Sequence, residues 1–252
     1  MVKQIARCVS FSFVLTLAVG AVAQAQPWED KMYVNANLGF DLTSRSFTES
    51  VAPVIYDERA AITTTHNIDS GFTPIDVEGG LRIWRSVGIG GGFTRRAQTE
   101  TATVDARVPH PTLFGQPRFA TLSTPLQHTE WAIHLHAVYV VPISPRLDLA
   151  LRGGPSYFSI SQDLVTNIQI AEESPTFATV SIAKIGSTSH TEYTFGYSAA
   201  GDVTFFLTRM LGVGATIRYV SASVDFPVAG GGTATYDAGG LQLAFGVRIR
   251  MR

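Results

Sequence analysis

The last stretch of the chain is the most restrictive part of the sequence. From Gly240 to Arg252 the odd positions are Leu241, Leu243, Phe245, Val247, Ile249 and Met251. The even positions are Gln242, Ala244, Gly246, Arg248, Arg250 and Arg252. One face is apolar; the other is small, polar or cationic. A period of two marks a β-strand between two different environments. A half-buried strand of a soluble protein alternates too, but this one is long and its second face carries arginines. If the apolar face meets lipid, the arginines point into a closed barrel, and this strand pairs with the first strand of the mature chain.

The alternation recurs upstream over 31–43, 73–84, 87–97, 129–141, 146–158, 191–207 and 210–222. In the second segment Ile75, Val77, Leu81 and Ile83 oppose Asp76, Glu78, Arg82 and Trp84. In the fourth, Trp131, Ile133, Leu135 and Tyr139 oppose Glu130, His134 and His136. Connections alternate in length. Arg85-Ser86, 142–145 and Thr208-Arg209 are tight turns, whereas about 44–72, 98–128, 159–190 and 223–239 read as long loops. Pro53, Pro109, Pro111, Pro117 and Pro125 act there as breakers. Strands of roughly 11 to 17 residues can cross a bilayer when tilted, and short turns on one side with long loops on the other suit such a barrel. The expected fold is all-β: an eight-stranded antiparallel up-and-down transmembrane β-barrel. Trp131 and Tyr139 lie eight residues apart, about 19 Å along the normal at a tilt near 45°. That is close to the spacing of two aromatic girdles, which Tyr157, Phe195, Tyr197, Phe205 and Tyr219 would fill out.

Charged residues make up 15% of the chain, well below the roughly 25% of soluble domains. The formal net charge of −1 argues against nucleic acid as a partner. The N-terminus reads as a targeting segment. Lys3 and Arg7 precede an apolar core from Phe11 to Val19, and Ala23-Gln24-Ala25 is a small-x-small cleavage site. The expected division is a signal peptide over 1–25 and a barrel over 26–252. Cys8, the sole cysteine, falls in the removed segment, so no disulfide or cysteine chemistry is expected in the mature chain.

Two stretches carry a family resemblance. One runs from Tyr139-Val140-Val141-Pro142 through Leu147-Asp148-Leu149-Ala150-Leu151-Arg152-Gly153-Gly154-Pro155-Ser156-Tyr157-Phe158; the other is Leu211-Gly212-Val213-Gly214-Ala215-Thr216-Ile217-Arg218-Tyr219. They resemble the small outer-membrane β-barrel domains of Gram-negative bacteria, OmpA- or OmpW-like, and the pattern covers the whole mature chain. The resemblance implies location in the cell outer membrane, with outer-membrane lipid as surroundings and the barrel-assembly machinery as a partner during biogenesis. Such barrels usually end in an aromatic residue; this chain departs from that with Met251-Arg252.

On this reading Glu78, Arg82, Glu130, His134, His136, Asp148, Arg152, Asp202, Arg218, Arg248 and Arg250 face the lumen. An eight-stranded barrel is just wide enough for side chains to fill. Buried charges of mixed sign must then pair. The leading reading is a charged plug in a barrel with a structural or surface-interaction role and no catalysis. A narrow or gated pore is the alternative. His134, His136 and Glu130 could together hold a metal, although lumenal histidines more often belong to a polar network; no metal or cofactor is expected. A barrel enzyme would need a constellation at the outer rim, where His66, His110, His128 and His190 lie without a recognisable motif. The long loops offer a surface for an unidentified ligand. A soluble lipocalin-like barrel would need the opposite arrangement, an apolar interior and a polar outside.

Overall fold

A chain whose strands alternate this strictly must pair every backbone N–H and C=O with a neighbouring strand, and in lipid only a closed ring does so. The computed structural model shows that ring. It describes residues 29–251; the expected signal peptide and cleavage after Ala25 lie outside the described residues. The strands are β1 (Met32–Asp41), β2 (Arg45–Val51), β3 (Val54–Ile55), β4 (Glu58–Arg59), β5 (Ala61–Ile68) and β6 (Gly71–Trp84). There follow β7 (Val87–Val108), β8 (Arg118–Ser144), β9 (Leu147–Glu172), β10 (Val180–Phe206), β11 (Leu211–Val228) and β12 (Gly232–Met251).

Eight of them pair antiparallel in the cycle β1-β6-β7-β8-β9-β10-β11-β12 and back to β1. The final strand closes on the first, with Met32 opposite Met251 and Asp41 opposite Gln242. Around this ring the outer face is apolar. Leu38, Ile83, Leu135, Val203, Val213 and Phe245 are all exposed on it. Glu78, Arg152, Asp202, Arg218 and Arg248 are buried. This is inside-out relative to a soluble protein and right for a wall facing acyl chains.

The strands continue far beyond the bilayer. β10 has 27 residues, about 60 Å of height at 45° tilt against an apolar band about 25 Å tall. Above that band the polarity of each face inverts while the faces themselves keep their sides. On β7 the outward positions change from Ile89 and Phe93 to Thr99, Thr101, Asp105 and Arg107, and the inward ones from Gly88, Gly90 and Thr94 to Ala102, Val104, Ala106 and Val108. On β11 Ile217 and Tyr219 give way outside to Ser223 and Asp225, with Val220, Val224 and Phe226 inside.

The segments 44–72, 98–128, 159–190 and 223–239, read from the sequence as long loops, are therefore mostly strand; the connections that remain are 44, 52–53, 56–57, 60 and 69–70 in the first segment, then 109–117, 173–179 and 229–231. In the third segment the alternation of Val165 to Ile170 and of Phe177 to Ile182 is visible in the sequence and extends the fifth and sixth strands as a hairpin, as β9 and β10 show; in the others it was hidden because its phase is that of a soluble sheet. Pro125 sits inside β8, opposite Thr101. β8 carries a single ladder at that level, since its pairing with β9 begins only at His128, and such an edge tolerates a missing donor.

Above the bilayer the ring also divides. β8–β9 pairing stops at His128 and Gln162, and β10–β11 pairing stops at Gly196 and Ala222. β5 replaces β6 beside β7, and β2 adds to β5. The resulting sheets β2-β5-β7-β8, β9-β10 and β11-β12 close over two apolar clusters. One joins Phe47 and Ile68 to Phe158, Ile160, Phe226 and Tyr236; the other joins Ile62, Val104 and Val108 to Leu126, Val165 and Ile182. The barrel carries a folded β-domain on its outer end.

The inversion predicts position-dependent tolerance to charge. Ala215→Arg, mid-band on β11, should cost about 2–4 kcal/mol, whereas Thr103→Arg on the outer wall should change stability by less than about 0.5 kcal/mol. Denaturant unfolding in lipid vesicles, followed by heat-modifiable gel migration, measures both.

Candidate functional site

The interior consists of three layers. Within the bilayer, three carboxylates meet three guanidinium groups. Arg218 donates to Asp76 at 3.1 Å and to Glu78, and Arg152 pairs with Glu78 as well. Asp202 accepts from Arg248 Nη2 at 2.6 Å, from Thr216 Oγ1 at 2.6 Å and from Arg152 at 3.4 Å. Arg248 also donates to Asn37. These side chains come from β1, β6, β9, β10, β11 and β12, so the pairs tie strands across the bore and not only along it. Gly214 makes room for Arg248: a Cβ there would lie 2.8 Å from Arg248 Nε; Gly90 does the same for His136 and Tyr33, at 2.6 Å from His136 Nε2 and 2.7 Å from Tyr33 Oη.

At the inner mouth Arg250 reaches Asp148 at 3.4 Å and Asp30 at 3.5 Å, with its guanidinium 3.6 Å over the Phe206 ring. Arg82 is half-buried at that end, and its backbone N–H donates to the Lys31 carbonyl. His134 sits 2.7 Å from Ser156 Oγ and 3.1 Å from Thr94 Oγ1, while His136 faces the Tyr33 hydroxyl at 3.4 Å. The metal set considered from the sequence does not assemble. Glu130 lies instead 3.4 Å from Arg45 and 3.6 Å from His128. Among the described residues no group of three candidate ligands could hold an ion.

The second layer lies where β1 hands over to β2. Asp41 pairs with Arg45 at 2.5 Å and with Arg96. Arg45 Nη1 donates to the Tyr236 hydroxyl at 2.7 Å. Just above, His66 is fully buried between two carboxylates, with Nδ1 2.7 Å from Glu100 and Nε2 3.1 Å from Glu49. Only the imidazolium can donate from both nitrogens at once. Burial alone would lower its pKa; the hydrogen bonds to Glu100 and Glu49 outweigh burial and raise it. Gln162 Nε2 donates to Glu100 at 2.5 Å, and its oxygen faces His128 Nδ1 at 2.7 Å. The Phe47 ring stacks on His66 at 4.3 Å. The set joins β2, β5, β7, β8 and β9.

The sequence reading missed Asp41, Arg45, Glu49, His66, Arg96, Glu100 and Gln162 as interior groups. All but Asp41 and Arg96 lie in or beside segments read as loops. The available signal was their regular two-residue spacing with buried apolar neighbours. The third layer is the outer tip, where Arg118 pairs with Glu172 and donates to the Pro109 carbonyl at 2.8 Å, and Tyr56 donates to Glu172.

The aromatic residues fall at two levels on the outer wall. Trp131 contacts Phe93 at 6.4 Å and Tyr157 at 6.1 Å; Tyr157 contacts Phe195 at 5.1 Å; Tyr197 contacts Tyr219 at 6.3 Å. These sit where the polarity inverts. Tyr139 and Phe205 lie toward the tight turns, with Trp84 beneath Arg85 at 4.8 Å.

Two expectations follow. Arg218→Ala strands Asp76 in the bore, leaves Glu78 to Arg152 alone, and should cost about 3–5 kcal/mol, read as a lower unfolding midpoint in vesicles. For His66, the folded pKa lies above the unfolded value of about 6.5. Its contribution is therefore complete below that value and lost as pH rises through the folded pKa. Wild-type stability should fall as pH rises above about 6.5 and through the raised pKa of His66. His66→Gln should be less stable at the acid end and lose that slope; an unchanged slope would show that His66 does not titrate here.

The chain matches the model of the outer membrane protein beta-barrel domain over residues 11–248. No curated protein matches it in sequence. Among solved structures it is similar to the outer membrane protein OprG of Pseudomonas aeruginosa, at 9% identity and TM-score 0.46, covering 91% of this chain and 100% of that one. It is also similar to Neisserial surface protein A, at 14% identity and TM-score 0.42, covering 87% and 97%. A third is the outer membrane protease OmpT of Escherichia coli, at 10% identity and TM-score 0.48, covering 91% and 99%. The family match spans most of the chain and agrees with the closed ring, so this chain belongs to the outer membrane protein beta-barrel domain family and, with it, to the cell outer membrane.

Proposed function

We propose that this is a non-conducting, non-catalytic barrel whose role is structural and surface-presenting. It holds a rigid β-domain above the outer membrane, with the charged interior as its plug. The observation that carries this reading is the dry outer end of the bore. Val104, Val108 and Phe226 are at most 1% exposed and lie farther out along β7 and β11 than Arg96, Glu100 and Arg218, the charged interior groups of those strands. A hydrated path needs polar lining throughout, and burying charge or water among such side chains is costly. The cavity at the inner mouth, lined by Tyr33, Asp148, Arg152 and Arg248, is about 50 Å³, room for a few waters.

The outer histidines support the absence of catalysis. His66 and His128 are buried. His110 Nδ1 accepts from the backbone N–H groups of Thr112 and Leu113 and so caps its own turn. The tip supports an interaction role: Phe114 is 88% exposed, beside exposed Leu113.

Refolded protein in planar bilayers should give no single-channel steps at any voltage. Steady steps that change with Arg248→Ala would overturn the plug and establish the pore.

A further inference from the structure

Above the girdle β10 keeps a single neighbour. Its ladder to β11 stops at Gly196, while its ladder to β9 runs on to Val180. The direction of its backbone groups follows from its lower end. Phe206 N–H donates to the Arg146 carbonyl on the β9 side, and Leu207 N–H donates to Leu211 on the β11 side. The β9 register is unbroken from Phe205 to Ser187. Antiparallel residues bond alternately to one side and the other, so even-numbered residues of this stretch bond β9. Ser187, Ser189, Thr191 and Tyr193 turn their N–H and C=O groups the opposite way, and among the described residues no strand pairs with them there. Just below, Thr194 Oγ1 donates to the Ser223 carbonyl at 2.7 Å, across the gap to β11.

The core does not hold this stretch either. No residue from 187 to 195 belongs to either apolar cluster. Ser187, Thr188 and Ser189 are exposed in succession, so both faces meet water. A two-stranded ribbon by itself is marginal in water. An open edge is also a template for a foreign strand, and proteins guard such edges with proline, lysine, bulges or inward charges. Neighbouring edges of this domain carry guards: buried Glu49 on β2, Pro125 on β8 and Pro227 on β11. β10 has its bulge farther out, between Ile182 and Lys184, and holds neither proline nor lysine from Ser187 to Phe195.

We propose that this unguarded edge of β10 docks an extended segment of another protein, which adds to it as a strand. The edge offers one N–H and one C=O every second residue, about 6.8 Å apart, a spacing that another β-backbone matches and a small molecule does not. Its outward row, Ser187, Ser189, Thr191 and Tyr193, is uncharged, and its inward row carries one carboxylate, Glu192. The complementary segment is therefore rich in β-branched and hydroxyl residues, with a cation opposite Glu192. A second copy in the same membrane does not fit. Two such copies are related by rotation about the membrane normal, and both β10 strands rise outward. At a tilt near 45° their edges cross at about 90° when they face each other, so no ladder forms between them. The docking edge rests on the surface-presenting role proposed above and gives that role its class of partner.

The test uses the refolded chain in nanodiscs and a fluorescent nonapeptide alternating threonine and valine about one central lysine. Fluorescence anisotropy should show saturable binding to loaded nanodiscs and none to empty ones. The same peptide with alternate backbone nitrogens methylated keeps its side chains but loses its donors, and should bind at least about tenfold more weakly. Thr191→Pro removes a donor that β9 does not use, so it keeps the β9 ladder and should weaken binding as much. Ser189→Pro repeats the comparison if Thr191→Pro does not insert, and the methylated peptide needs no variant. Equal binding by the methylated peptide, unchanged binding to the proline variants, or no binding to wild type would each overturn the docking edge. Single-channel recording of the same sample reads the closed bore separately.

Discussion

Hydrocarbon offers no partner to a peptide N–H, so the wall of this protein has to satisfy its own backbone. The pairing of β1 with β12 is where that requirement is met. Every other strand neighbours the one before or after it around the barrel, separated by a turn or the inserted hairpins. This contact joins the two ends of the chain and leaves no open edge in the membrane. Closure then fixes the interior. Eight strands leave a bore that side chains fill, and whatever alternates with lipid-facing residues must fill it. Charges there are tolerable only as pairs, which is why Asp76, Glu78 and Asp202 meet Arg152, Arg218 and Arg248.

The same alternation, with its chemistry exchanged, builds the domain above. A strand does not change its geometry on leaving the bilayer; its surroundings change. Lipid outside demands apolar outward residues, and water outside demands polar ones. The inward residues adjust in the opposite sense, from ion pairs to Val104, Val108 and Phe226. The level of exchange acts as a ruler along β7, β8, β10 and β11, and the outer aromatic residues collect on it. Between the two regimes lies the layer of Asp41, Arg45, Arg96 and Glu130, charged groups that pair with one another across the strands.

What was legible in the sequence follows from that exchange. The eight membrane strands could be read because Leu241 to Met251 and its counterparts pair an apolar face with a polar one over the whole bilayer thickness. Glu78, Arg152 and Arg218 could be placed inside for the same reason. Partners could not be read: nothing in the spacing says that Arg218 reaches Asp76 across the bore, or that Glu130 turns to Arg45 and away from His134. The upper strands were lost because Thr99, Thr101 and Thr103 outside, with Ala102 and Val104 inside, look like polar sequence with small residues. His66 was visible only as a loop histidine, since its two carboxylates come from strands the reading did not draw.

Register explains why the interior carries charge when an apolar filling would cost less to desolvate. Side chains alternate with a period of two, so a slip of one residue between β1 and β12 would turn Arg248 and Arg250 toward acyl chains and Phe245 and Val247 toward the bore. With a uniformly apolar interior that slip would exchange one greasy face for another at small cost. With arginines on one face it places charge in lipid, at about 2–4 kcal/mol for each near the midplane. It also takes Arg248 away from Asp202. The ion pairs thus make the correct closure far better than its neighbours, even where they add little to its absolute stability. The polarity exchange above the membrane then has to fall at one height on every strand, because the ring that sets the register is already closed below.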